Sequence, residues 1–107
     1  MERFKLSDFT KGWIVGDFLP SIIKTDQFEF ALKKYQAGDR ESKHVHKIAR
    51  EITVIVSGVF LLNLEILTEG DILVLNPGEP AQFQCLKEGY TAVIKTPSVK
   101  NDKYILN

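Results

Sequence analysis

The sequence predicts an all-β fold, a small sandwich or barrel, and three observations predict it. Turn-forming residues punctuate the chain at short intervals: Gly12, Gly16, Pro20, Gly38-Asp39, Ser57-Gly58, Glu69-Gly70-Asp71, NPGEP at 76–80, Glu88-Gly89 and Pro97. Between them lie short runs rich in β-branched and aromatic residues, the pattern of many short strands joined by tight turns. One of these runs, FEFALKKY at 28–35, alternates strictly enough to be read as two faces.

Taken in order, GWIVGDF (12–18) reads as an N-terminal strand. FEFALKKY follows, with Phe28, Phe30 and Leu32 on one face and Glu29, Lys33 and Tyr35 on the other, which looks either at water or into a polar cavity. RESKHVHKIARE (40–51) has a composition that would suit a helix. Its histidines argue otherwise: residues two apart point to opposite sides of a helix but share one face of a strand, so His44 and His46 converge only if the segment is extended. EITVIV (51–56), VFLLNL (59–64), DILVLN (71–76), AQFQCL (81–86) and YTAVIKT (90–96) supply the remaining strands. NPGEP is a turn, with Pro-Gly setting the chain reversal.

At 107 residues the chain is one domain, with no repeat, linker or low-complexity tract. Fourteen basic residues balance fourteen acidic ones, so there is no excess field to draw the protein to nucleic acid or an anionic membrane surface. A lone cysteine, Cys85, excludes an internal disulfide and suits a reducing compartment. It is expected to be a buried small apolar side chain, since no histidine is spare to act as its base. With no apolar leader and no long apolar run, a cytoplasmic location is expected.

The chemistry concentrates in one stretch. Gly38, five residues, His44, one residue, His46, four residues, Glu51, six residues and Gly58 place two imidazoles on one strand face and return a carboxylate on the next strand. Neutral imidazole plus carboxylate is a ligand set for Fe, Mn, Ni or Zn as the divalent ion, with coordination positions left open. Thr53 shares the face of Glu51 and is the candidate to support it.

This G-x5-H-x-H-x4-E-x6-G spacing resembles the first motif of the cupin superfamily, and GDILVLNPGEPAQF (70–83) resembles the second, with Gly70, Asp71, Pro77, Gly78 and Phe83 in place. The resemblance covers residues 28–96, leaving N-terminal strands at 1–27 and a tail at 97–107 expected to run over the surface. It implies a double-stranded β-helix, or jelly-roll, barrel. It also implies His44, His46 and Glu51 as metal ligands. Thr53, Tyr35, Lys33 and Phe83 are the candidates to surround a bound small molecule, with Glu29 on the same face as Lys33 and Tyr35. One position departs from the pattern: Ala81 stands where the family supplies its last histidine, and neither Gln82, Gln84 nor Cys85 is placed to substitute.

Two readings follow. The first is a metal-dependent enzyme acting on a small oxygenated metabolite, isomerase- or epimerase-like or dioxygenase-like. The second is a non-catalytic module that binds a small polar ligand with weak or no metal. Zero net charge and apolar strand runs predict a homodimer, in which the strand bearing Trp13 would cross to the partner.

Overall fold

The computed structural model describes residues 1–107. Two single-turn 3-10 segments, Leu6–Asp8 and Thr10–Gly12, lead into eleven strands. Six form one sheet: β1 (Trp13–Gly16), β2 (Ile23–Lys24), β3 (Glu29–Tyr35), β5 (Arg50–Ile55), β8 (Ile72–Leu75) and β10 (Gly89–Thr96), in the order β2-β1-β3-β10-β5-β8. Five form the other: β4 (Arg40–Val45), β6 (Val59–Leu62), β7 (Glu65–Leu67), β9 (Pro80–Lys87) and β11 (Tyr104–Ile105), in the order β11-β4-β9-β6-β7. All pairings are antiparallel except β1 with β2. Consecutive strands β4 and β5 lie in different sheets, as do β8 and β9, so the chain winds between two facing layers.

The alternation of each run decides which side chains fill the space between the layers. Ile55, Phe60, Leu62, Leu67, Ala81, Phe83 and Cys85 form the core, with Tyr35, Leu73 and Leu75 packed against it. Phe60 and Phe83 stack with centroids 5.1 Å apart, and the Tyr35 ring meets them at 5.6 and 5.2 Å. Burying side chains of this size contributes about 1.5–3 kcal/mol each. At the closed end the chains approach so tightly that only glycine fits. A Cβ on Gly58, whose φ is +87°, would lie 2.6 Å from the Glu88 carbonyl oxygen, and one on Gly89 would overlap that of Ser57.

The eight runs read from the sequence are all strands. Three short strands were not legible there: β2, β7 and β11. The VFLLNL run is not one strand, because Asn63 and Leu64 take φ of +48° and +70° and turn the chain back as the β6-β7 hairpin. The tail does more than run over the surface. Its Ser98 and Asp102 are buried, and β11 pairs with β4. The strand bearing Trp13 pairs with β3 of its own chain, and the Trp13 ring packs on Phe18 of that chain, 6.3 Å between centroids.

The outer face of the six-stranded sheet carries two apolar rows running across four strands. Register places Phe30, Ile94, Ile52 and Val74 in one row and Leu32, Ala92, Val54 and Ile72 in the next.

Candidate metal centre and polar pocket

The two histidines sit at the end of β4, and a bulge sets their direction. Glu41 pairs with Phe83 and His44 with Ala81, so three steps on β4 oppose two on β9. The extra residue lets both Glu41 and His44 face inward, where an unbroken strand would send one of them out. His46 lies one residue past the end of β4, and both imidazoles are buried. Their ring centroids are 5.1 Å apart with planes at 74°.

Each ring is held by its Nδ1. His44 donates to the Ser42 carbonyl at 2.8 Å and His46 to the Asp102 carbonyl at 2.9 Å, a tautomer assigned from these acceptors. Nε2 of each ring is therefore left with its lone pair, the form in which imidazole binds a metal. Nε2 of His46 is fully buried and has no partner. Buried polar nitrogens without a partner are rare in folded chains, so this lone pair calls for a donor or an ion.

The backbone of His46 is clamped as well. Gly78 of the NPGEP turn donates to its carbonyl at 2.8 Å. The Asp102 carboxylate accepts from the amides of Lys47, Ile48 and Ala49 at 2.9–3.2 Å. Burial alone would raise the pKa of Asp102, but these three donors outweigh it and hold the group below the ordinary carboxylate range. Asp102 is a site residue that sequence reasoning missed. Its only signal there was an acidic side chain in a polar tail.

The other expected residues gather around one internal cavity of about 30 Å3, room for a water or two: Lys33, Tyr35, His44, Glu51, Thr53 and Phe83 all line it. The face of FEFALKKY that bears Lys33 and Tyr35 thus looks into a cavity rather than at water, one whose polar groups stand among Leu62, Leu67, Leu73 and Leu75. Tyr35 donates to Glu41 at 3.0 Å, and Lys33 lies 3.5 Å from the same carboxylate. Burial, then the Glu41 charge, drives the Tyr35 phenol far above its ordinary pKa, so it stays protonated. Glu41 itself is pushed up by burial and pulled below its ordinary value by Lys33 and the other positive neighbours.

The expected convergence of three ligands is only partly met. Glu51 shares the cavity wall with His44, whereas His46 faces a neighbouring pocket, and no three His, Cys, Asp or Glu side chains are gathered in the geometry of a metal site. β4 and β5 belong to facing sheets, so Glu51 stands across from the histidines rather than beside them. Ala81 is buried directly beside His44 in the register, with no ligand of its own to offer. Cys85 is fully buried, burial raises its pKa, and its thiol points to the Lys87 carbonyl at 3.1 Å. It is inert packing, as expected.

The pocket that His46 faces has a volume of about 380 Å3 and is also lined by Trp13, Glu29, Lys95 and Lys103. Register puts Lys95 of β10 between Glu29 of β3 and Glu51 of β5. Burial lowers the pKa of Lys95 and raises that of Glu29, each toward its neutral form. His46 is likewise lowered, first by burial and then by the Lys95 ammonium.

Solved structures repeat this architecture. An uncharacterised conserved protein with a double-stranded β-helix domain from Klebsiella pneumoniae subsp. pneumoniae superposes with a TM-score of 0.72 at 15% identity, over 96% of this chain and 89% of that one. An RmlC-like cupin from Shewanella frigidimarina superposes with a TM-score of 0.65 at 20% identity, covering 72% and 71% of the two chains. The fold is a cupin's. Oxalate decarboxylase from Bacillus subtilis contains the same barrel, with a TM-score of 0.66 at 16% identity over 77% of this chain but only 24% of its own. No family model and no curated protein matches the sequence of this cupin barrel.

Proposed function

We propose that this small cupin barrel binds a divalent transition metal through His44 and His46, with Glu51 completing the set, and acts on a small oxygenated metabolite. The observation that carries the reading is the state of the two imidazoles: each gives its Nδ1 proton to a backbone carbonyl, and the Nε2 of His46 is buried with nothing to meet it. That is the arrangement in which ligating histidines are held. Iron, manganese, nickel and zinc all suit the donor set. A structural neighbour, oxalate decarboxylase, has Mn(II) centres, which supports the reading.

When bound, the metal would act as a Lewis acid on a carbonyl or hydroxyl of the ligand. The chain supplies the rest. Nδ1 contacts fix the rings, Tyr35 and Lys33 fix Glu41 on the cavity wall, and Glu29, raised in pKa by burial, is the group suited to take and return a proton. Reaction classes consistent with this set are isomerase- or epimerase-like and dioxygenase-like. A thermal-shift series with Fe(II), Mn(II), Ni(II) and Zn(II) after chelator treatment tests the reading: at least one ion raises Tm by several degrees. No shift with any ion, and no metal retained on purification, contradicts it.

A second reading, a binding module without catalysis, is favoured by one feature. Ala81 occupies the register position next to His44, and no three-ligand cluster is assembled. Ligand-induced stabilisation without turnover would select this reading.

We also propose that the barrel pairs with a second copy through the outer face of the six-stranded sheet. Ile72, Val56, Ile94 and Val74 are there exposed by 62, 43, 39 and 39%, next to Phe28 at 38%. No charge interrupts the two apolar rows. A monomer seldom leaves so broad an apolar patch in water, and a two-fold pairing covers it with the same patch.

A further inference from the structure

The chain is neutral as a whole, but one groove on it is not. The groove has a volume of about 790 Å3 and lies between the N-terminal 3-10 turns, β3, the start of β4 and the tail. Five cations line it: Lys11, Lys33, Lys34, Arg40 and Lys103. Only two carboxylates face them, Asp39 and Glu41, which leaves three net positive charges in one cleft. Both carboxylates already have partners. Glu41 lies 3.5 Å from Lys33 and accepts the Tyr35 hydroxyl, and Asp39 accepts the Gln36 amide at 2.8 Å. Lys34 reaches only Glu88, at 3.8 Å with both side chains more than half exposed, a contact that contributes little. Lys11, Arg40 and Lys103 make neither an ion pair nor a side-chain hydrogen bond. The backbone adds a second observation. Lys11 has φ +51°, in the left-handed region that disfavours a side chain, and it is followed by Gly12, where a Cβ would collide with the Leu32 carbonyl. Backbone geometry would favour glycine or asparagine at position 11, yet a lysine stands there and lines the groove.

We propose that this groove binds a small multiply charged anion, one molecule carrying two or more negative charges, as a phosphate ester or a di- or tricarboxylate does. Four separate segments of the chain converge to present the cations, and a cleft lined by one sign of charge concentrates the opposite ion. The Arg40 guanidinium offers paired N–H donors that match a carboxylate or a phosphate, and the hydroxyls of Ser7 and Ser42 lie on the same walls. Leu6, Phe9 and Leu32 supply apolar surface between the charges for a carbon skeleton. The volume is that of a small-molecule site. A monoanion would leave most of the positive charge uncompensated, and a neutral sugar all of it. The groove shares Lys33, Tyr35 and Glu41 with the inner cavity but contains none of His44, His46 and Glu51, so it stands apart from the metal reading.

Isothermal titration calorimetry of the 107-residue chain at low ionic strength tests this, with pyrophosphate and citrate as probes and acetate and glucose as monoanionic and neutral controls. At least one of the two multivalent anions is expected to bind with a Kd below roughly 1 mM, at least tenfold more tightly than acetate. The tighter of the two names the source, phosphate or polycarboxylate. Because both probes also bind metal ions, the titrations are repeated on chelator-treated protein, where the same affinity is expected. Lys11→Gln with Arg40→Gln should weaken binding at least tenfold. Lys24→Gln with Lys100→Gln, exposed lysines outside the groove that change the net charge equally, should leave it within about twofold. Lys11→Gly separates a ligand-binding role from a structural one: it should bind the anion less tightly yet melt a few degrees above the wild type, since the backbone is relieved while the charge is lost. Metal content should be the same in all these variants, so failure of the metal reading leaves this one standing. The site is refuted if neither anion binds below roughly 10 mM, if acetate binds as well, if binding disappears with the metal, or if the Lys24 and Lys100 pair matters as much as the groove pair.

Discussion

His46 donates its Nδ1 proton to the backbone carbonyl of Asp102, 56 residues further along the chain, at 2.9 Å. The same residue's carboxylate caps three consecutive amides just after the histidine. The C-terminal tail is therefore a latch, and the orientation of a buried imidazole depends on it.

Asp102→Ala strips the three amides of their acceptor and should destabilise the fold by about 3 kcal/mol, read from urea unfolding. Metal affinity should fall by roughly tenfold, because His46 loses its support. The pH dependence follows in sign. A carboxylate held below its unfolded value stabilises the fold at pH above that value, ordinarily 3.8, and the contribution is lost as pH falls through the lower folded value. The wild type should therefore lose stability on acidification below about pH 4, and Asp102→Asn should flatten that limb. An unchanged acid limb in the variant would count against the latch.

Leu64→Gly should stabilise the chain by about 1 kcal/mol, since a side chain in the left-handed region costs roughly that much and glycine does not. Leu64 has φ +70° and is 91% exposed, so nothing is lost with its side chain. Thermal unfolding of the variant decides this, with a lower Tm as the contrary result.

This hairpin also shows why parts of the fold were hidden in the sequence. Seven of the eight main strands announced themselves by runs of β-branched and aromatic residues with turn residues at their ends, and the helix-like 40–51 run by its histidine spacing. The β6-β7 turn did not, because Asn63-Leu64 lacks the glycine such turns favour, and VFLLNL reads as one run. The histidines were legible because their i, i+2 spacing has one physical meaning on a strand. The bulge that aims Glu41 inward has no local signature. Nor does the placement of β4 and β5 in opposite sheets, which sets Glu51 across from the histidines. Lys95 and Asp102 were not legible as site residues because each reads as a polar side chain facing water until register and tail packing bring it to His46.

Ala81→His should strengthen metal binding at least tenfold, because residue 81 is the in-register neighbour of His44 on the cavity side. Filling a buried alanine site should cost about 1–3 kcal/mol in the metal-free protein. The variant should thus melt below the wild type with chelator and above it with Mn(II) or Zn(II). Equal affinity would show that the position no longer faces a metal.

Sedimentation equilibrium should give the wild type a mass twice the 12.2 kDa of one chain. Ile94→Lys, in the centre of the outer apolar rows, should give a single-chain mass. A wild-type mass equal to one chain would remove the proposed pairing.

Metal content by mass spectrometry, on untagged protein purified without chelator and with His46→Ala alongside, tests the central claim most directly. The account expects about one transition-metal ion per wild-type chain and none in the variant. A wild-type protein that stays metal-free after anaerobic reconstitution with Fe(II), Mn(II), Ni(II) and Zn(II) would contradict it.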